Sequence, residues 1–126
     1  MGERVLIVED DRVSQKMARD ALQAGGYETV EADGGEVALQ KVAESTPDLI
    51  VMDIRLPGMD GLETTRRLKA DPETAAIPVV AVTAHAMPED ESMIREAGCD
   101  AYMPKPLRFS ALLGLVRDLL TGSQPA

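Results

Sequence analysis

Apolar residues along this chain fall into two alternating rhythms. Val5-Leu6-Ile7-Val8, Leu49-Ile50-Val51-Met52 and Val79-Val80-Ala81-Val82 are short, unbroken and rich in β-branched side chains. Runs this short do not make ordinary helices, and each predicts a strand buried on both faces. A weaker strand is expected at Tyr27–Ala32 and a very short one around Ala101–Met103. Between them the apolar spacing becomes helical. The clearest stripe is Phe109, Leu112, Leu113, Val116, Leu119 and Leu120. Val13, Met17, Ala21 and Leu22 predict a helix after the first strand, ended by Gly25-Gly26. Val37, Ala38 and Val42 predict another, beginning after Asp33-Gly34. Leu62, Thr65 and Leu68 predict a third that stops near Asp71-Pro72. Met93, Ile94 and Ala97 predict a fourth, from about Pro88 to Gly98.

Strand and helix therefore alternate five times with short connections. That pattern predicts an α/β fold with a parallel sheet sheathed by helices on both faces. The patterning leaves the strand order open. No internal repeat or low-complexity tract is present. Residues 1–121 read as one domain, and 122–126 as a flexible tail or the stub of a linker.

Composition narrows the function classes. The chain has 126 residues, enough for one core and too few for a second folded output domain. Its net charge is −9, which argues against non-specific nucleic-acid binding, since that requires a cationic surface. The acidity lies in the first half: residues 1–63 carry 14 acids and 6 bases, and residues 64–126 carry 8 and 7. A single cysteine, Cys99, forms neither an internal disulfide nor a cysteine metal cage, and it reads as a small filler beside Gly98. The seven methionines read as core and gap-filling residues. No apolar run is long enough to cross a bilayer, and the start has no signal-peptide character. A cytoplasmic location is expected.

In open parallel sheets, ligands bind beyond the carboxyl ends of the strands. Strand one ends in Glu9-Asp10-Asp11, strand three in Asp53, strand four in Thr83-Ala84, and strand five runs into Pro104-Lys105-Pro106. Asp33-Gly34, after strand two, reads as a helix cap with no chemistry. Asp11 reads as a cap as well. Asp53 is different, because it follows a wholly apolar strand. If Glu9, Asp10 and Asp53 converge, two carboxylates about 4 Å apart repel by roughly 4 kcal/mol at an effective dielectric near 20. Either one of them stays protonated or a cation sits among them. Oxygen ligands with room for water suit Mg²⁺. With Lys105 opposite, such a cleft is fitted to a phosphoryl group on a carboxylate.

Four segments together resemble the receiver domains of two-component response regulators. They are Val8-Glu9-Asp10-Asp11, Met52-Asp53 through Asp60-Gly61, Val82-Thr83-Ala84, and Tyr102-Met103-Pro104-Lys105-Pro106. The resemblance spans about residues 3–120. Thr83-Ala84-His85-Ala86-Met87 and Ala97-Gly98-Cys99-Asp100-Ala101-Tyr102 make it most similar to single-domain regulators, among them alphaproteobacterial cell-division regulators, and to the receivers of hybrid kinases. It implies a flavodoxin-like, doubly wound sheet of order 2-1-3-4-5. It also implies that Asp53 takes a phosphoryl group from the phosphohistidine of a sensor histidine kinase or phosphotransfer protein. Asp10, Asp53 and the backbone carbonyl of Arg55 would hold Mg²⁺, with Glu9 acting through water. Lys105, the Thr83 hydroxyl and the Ala84 N–H would hold phosphoryl oxygens. A cis bond before Pro106 would aim Lys105 into the cleft, and the Pro57-Gly58 turn would bend the chain over the site.

Thr83 and Tyr102 would form a switch pair, read out on the face of helix four, strand five and helix five by a downstream protein. Arg55 and His85 stand where the family tunes hydrolysis of the acyl phosphate. The chain would be a monomer or a weak, phosphorylation-linked dimer. It would have autocatalytic phosphotransfer and slow self-dephosphorylation but no turnover substrate.

Other readings are weaker. An aspartyl phosphatase needs a second Asp at the position of Arg55. A flavodoxin needs a Ser/Thr/Gly phosphate loop where Glu9-Asp10-Asp11 stands, and a P-loop needs a glycine-rich lysine loop. A non-phosphorylated pseudo-receiver adaptor usually lacks one of Asp10, Asp53 or Lys105, and all three are present. A receiver cut from a hybrid kinase has the same site.

Overall fold

The computed structural model describes residues 2–56, 58–84 and 88–121, without the side chain of Pro88. In chain order the elements are β1 (Arg4–Val8), α1 (Arg12–Ala24), β2 (Glu28–Ala32), α2 (Gly35–Glu44), β3 (Leu49–Asp53), α3 (Gly61–Ala70), β4 (Val79–Thr83), α4 (Pro88–Ala97), β5 (Ala101–Pro104) and α5 (Phe109–Thr121). All strand pairs are parallel, in the order β2-β1-β3-β4-β5. Both the α/β class and the strand order implied by the resemblance hold.

Side chains alternate across each strand, so the three apolar runs feed two cores at once. Val5, Ile7, Val51, Val80 and Val82 pack with Leu22 of α1 and with Leu112 and Val116 of α5. Leu6, Val8, Ile50, Met52 and Val79 pack with Ala38 and Val42 of α2 and Leu68 of α3. A smaller cluster of Leu62, Ala81, Ile94 and Ala97 lies under α4.

Local chemistry sets the helix ends. The Asp11 carboxylate accepts the Ser14 N–H at 2.9 Å, and the Asp60 carboxylate accepts the Glu63 N–H at 2.8 Å, so both residues cap the helices they precede. Gly98, after α4, has φ +101°, where other residues are strained. Tyr27 stays outside β2 because its N–H still closes the α1 terminus on the Leu22 carbonyl. The α2 cap is Gly34 and makes no side-chain bond, so Asp33 does not serve as one.

Two expectations about apolar residues are corrected. Val13, Met17, Met93 and Phe109 are exposed rather than buried in their stripes, although Met52 and Met103 are core residues. The reason is tertiary. Small Ala18 and Ala21 with Leu22 seat α1 on the sheet, and α1 and α5 leave an apolar groove between them, lined in part by Met17, Leu107 and Phe109.

At the opposite edge, Lys69 of α3 ties several segments together. Its ammonium donates to the Ala75 carbonyl at 3.0 Å, the Ile77 carbonyl at 2.7 Å and the Asp100 carboxylate at 3.0 Å. Asp100 also accepts the Val79 N–H at 2.8 Å. Lys69→Met removes three charge-assisted donors from one half-buried point. An expected loss of about 1–3 kcal/mol follows, read as a lower urea midpoint at unchanged slope.

Candidate functional site

The carboxyl ends of β1, β3, β4 and β5 bring the expected residues to one edge. Glu9 and Asp53 are buried, at 4% exposure each, whereas Asp10 is exposed. Each of the three offers a carboxylate oxygen, and these oxygens lie within 4.8 Å of one another. Lys105 reaches in from the end of β5, where its N–H donates to the Thr83 carbonyl at 2.8 Å. Its ammonium stands 2.8 Å from a Glu9 oxygen and 3.3 Å from an Asp53 oxygen. The Lys105–Pro106 bond is cis, as the resemblance implied.

Each carboxylate is also held by backbone. Glu9 accepts the Asp11 N–H at 3.0 Å, while its own carbonyl accepts the Gln15 side-chain amide at 3.1 Å. Asp53 accepts the Arg55 N–H at 3.1 Å, and the next amide, Ile54, donates to the Val82 carbonyl at 3.1 Å. Asp53 is thereby held at the sheet edge with one oxygen toward its own loop and the other toward Lys105.

Burial pushes the Glu9 carboxyl above its ordinary value. Its contact with Asp53 adds to that rise, and Lys105 opposes it. Burial lowers the Lys105 ammonium, but Glu9 and Asp53 together outweigh that and hold it above its ordinary value. Among the described residues, one ammonium thus touches two of three clustered carboxylates, which leaves the cluster net negative. The donor set fits a hard divalent cation: it is all oxygen, and Asp10 is open to water.

Thr83 is buried and Ala84 is exposed at the end of β4. In the β4–β5 register Tyr102 faces Ala81 and Pro104 faces Thr83, so Thr83 and Tyr102 share one face of the sheet. Tyr102 is half-buried against the cluster under α4. Arg55 is exposed. His85 and Pro57 lie outside the described residues, as do 122–126. Cys99 is a half-buried filler between the clusters under α3 and α4, and burial raises its thiol above its ordinary value.

Sequence reasoning placed Glu9 on a cation through water, whereas here it is also the nearer carboxylate to Lys105. The sequence offers Gly61 only as part of a motif, and its close approach to the Asp53 backbone has no signal there.

A doubly wound sheet that carries an acidic triad and a lysine at its carboxyl edge defines a receiver domain of the two-component type. A family model for the response regulator receiver domain matches residues 5–117, and the chain belongs to that family. It is 46% identical over 120 residues to the polar-differentiation response regulator DivK of Brucella anthropi, covering 95% of this chain and 98% of that one. DivK of Brucella abortus is equally similar. Among solved structures, a response regulator from Chloroflexus aurantiacus superposes with a TM-score of 0.92 at 32% identity, covering 96% of this chain and 99% of that one. The receiver domain of a Pseudomonas aeruginosa sensor histidine kinase, solved with magnesium coordinated in its active-site cleft, gives 0.89 at 30% identity, covering 96% and 99%. The resemblance to receiver domains of response regulators is upheld. The chain is a signalling module of two-component systems, and no described helix is long and apolar enough to cross a membrane.

Proposed function

We propose that Asp53 is the phosphoacceptor of a two-component phosphorelay, charged from the phosphohistidine of a sensor histidine kinase or phosphotransfer protein. The observation that carries this reading is Lys105 bridging buried Glu9 and buried Asp53 at the sheet edge. No structural requirement of the core explains so costly a cluster. An Asp53 oxygen attacks phosphorus, the new P–O bond forms as the P–N bond breaks, and the electron pair leaves on the imidazole nitrogen. A carboxylate is a weak nucleophile, so alignment and charge neutralisation supply most of the acceleration.

Lys105 is the ammonium within reach of the incoming oxygens. The Thr83 hydroxyl and the Ala84 N–H, unobstructed by a large side chain, hold the others. Asp10, Asp53 and the Arg55 carbonyl would hold Mg²⁺, with Glu9 acting through water. When bound, the ion neutralises the carboxylates and polarises the phosphoryl group.

The acyl phosphate adds about two negative charges beside Thr83. Thr83 is drawn toward it and Tyr102 takes the vacated space, which the shared sheet face of the two residues supports. The altered α4–β5–α5 face then meets a downstream protein, with the chain monomeric or weakly dimerised in the cytoplasm. Exposed Val13, Met17 and Phe109 lie on helices beside the site and offer apolar surface to the donor. Self-dephosphorylation is slow, and Arg55 and His85 set its rate.

Incubation with acetyl phosphate and Mg²⁺ is expected to add one phosphoryl group by intact mass, and EDTA to abolish it. No adduct from either acetyl phosphate or a phosphorylated kinase would favour an adaptor.

A further inference from the structure

We propose that Gly61 is a positioning residue for the phosphoacceptor, because its missing side chain lets the start of α3 lie directly on the Asp53 peptide and so sets where that carboxylate stands. The proposal rests on the reading of Asp53 above. A Cβ at Gly61 would fall 2.1 Å from the Asp53 carbonyl oxygen and 2.9 Å from both the Asp53 carbonyl carbon and the Ile54 Cα. All three are backbone atoms, which no rotamer change moves aside.

Conformational freedom does not explain this glycine. The described glycines with positive φ are Gly2, Gly26, Gly58 and Gly98, and Gly61 is not among them. Alanine suits a negative-φ helical backbone and is favoured over glycine in helices. Local propensity and tertiary contact therefore pull in opposite directions here, and the contact is with the phosphoacceptor.

The surroundings leave little room for the strain to dissipate. The Gly61 N–H donates to the Ile54 carbonyl at 3.0 Å, and the Ile54 N–H donates to the Val82 carbonyl at 3.1 Å. Ile54, the residue after Asp53, is thus held between α3 and β4. Asp60 caps α3, and the Thr65 hydroxyl donates to the Gly61 carbonyl at 2.8 Å. From the other side α2 packs closely on α3 and on the loop before it. A Cβ on Gly35 would fall 2.2 Å from the Thr64 hydroxyl oxygen and 2.8 Å from the Met59 carbonyl oxygen. A side chain at position 61 thus displaces Asp53 and its loop by about 1 Å, and in-line transfer loses roughly 10²-fold for such a shift.

The test compares wild type, Gly61→Ala and Lys69→Met, the last removing an anchor at the far edge of the sheet. Phosphoryl uptake from acetyl phosphate is timed by intact mass at saturating Mg²⁺, below every thermal midpoint. Gly61→Ala is expected to slow uptake roughly 30–100-fold, with the amide resonances of Ile54 and Arg55 shifted and those of β2 unmoved. Lys69→Met is expected to stay within about three-fold of wild type, whatever its loss of stability. Uptake by Gly61→Ala within three-fold of wild type overturns the proposal, as does an equal loss in Lys69→Met. Should Gly61→Ala not fold in buffer alone, its uptake is timed against wild type with both in trimethylamine N-oxide, which favours the compact state, with the same slowing expected and the same three-fold limit overturning the proposal. Failure of wild type itself to take up phosphate sinks the reading of Asp53 and is distinguishable from all of these outcomes.

Discussion

Asp53→Asn is expected to take up no phosphoryl group from acetyl phosphate or a phosphorylated kinase, and without metal to resist urea better than wild type. The first effect follows because an amide oxygen carries too little negative charge to attack phosphorus. Glu9 is turned into its contacts with Lys105 and the Asp11 amide, so it does not substitute. The second follows from the crowding of charge. Carboxylate oxygens within 4.8 Å repel by about 3–4 kcal/mol at an effective dielectric near 20, and one ammonium offsets only part of that. Removing one charge therefore stabilises the metal-free protein by about 1–2 kcal/mol at pH 8. Mg²⁺ is expected to narrow the gap by stabilising wild type more than the variant. Intact mass and urea titrations with EDTA or Mg²⁺ read both effects. A phosphoryl adduct persisting in Asp53→Asn would refute the assignment.

Lys105→Met is expected to slow uptake at least 100-fold and to destabilise the metal-free fold by about 2–4 kcal/mol at pH 8. Both carboxylates it touches are buried, so removal of the ammonium leaves them uncompensated. The pH dependence has a definite sign. Glu9 has a folded value raised above its ordinary 4.5, so its contribution is complete below 4.5 and is lost as pH rises through the folded value. Lys105 normally opposes that rise, and without it the folded value climbs further. The deficit of Lys105→Met should therefore shrink toward pH 4.5 and grow toward pH 8. In wild type, the contribution of Lys105 is present below its ordinary 10.5 and fades as pH rises through its elevated folded value. Urea midpoints at several pH values in EDTA check this, and a deficit independent of pH would show that the three groups do not share charge.

Much of the site was legible because its chemistry sits on side chains at strand ends. Asp53 stood out against Leu49-Ile50-Val51-Met52, and Glu9-Asp10 against Val5-Leu6-Ile7-Val8. Once those runs were read as parallel strands, their carboxyl ends had to share an edge. The helical stripes were less informative. Val13, Met17 and Phe109 fit an apolar face by spacing, yet burial depends on what a neighbouring helix covers. The Asp33-Gly34 junction does cap α2, and the packed chain adds that the cap is the backbone of Gly34, without a side-chain bond.

What amino-acid order determined was the alternation of five apolar runs with five amphipathic ones, and hence the sheet and the gathering of acids at one end. Those are short-range properties, set by side-chain period and the solvent preference of each residue. Only the packed chain decided that Lys105 lies nearer Glu9 than Asp53, that Lys69 ties α3 to Asp100, and that α3 starts against the Asp53 carbonyl. These are contacts between residues 8 to 96 positions apart, set by how layers settle on one another to within an ångström. Hydrophobic pattern carries no information at that scale, because many sequences of the same pattern bury the same area with different neighbours.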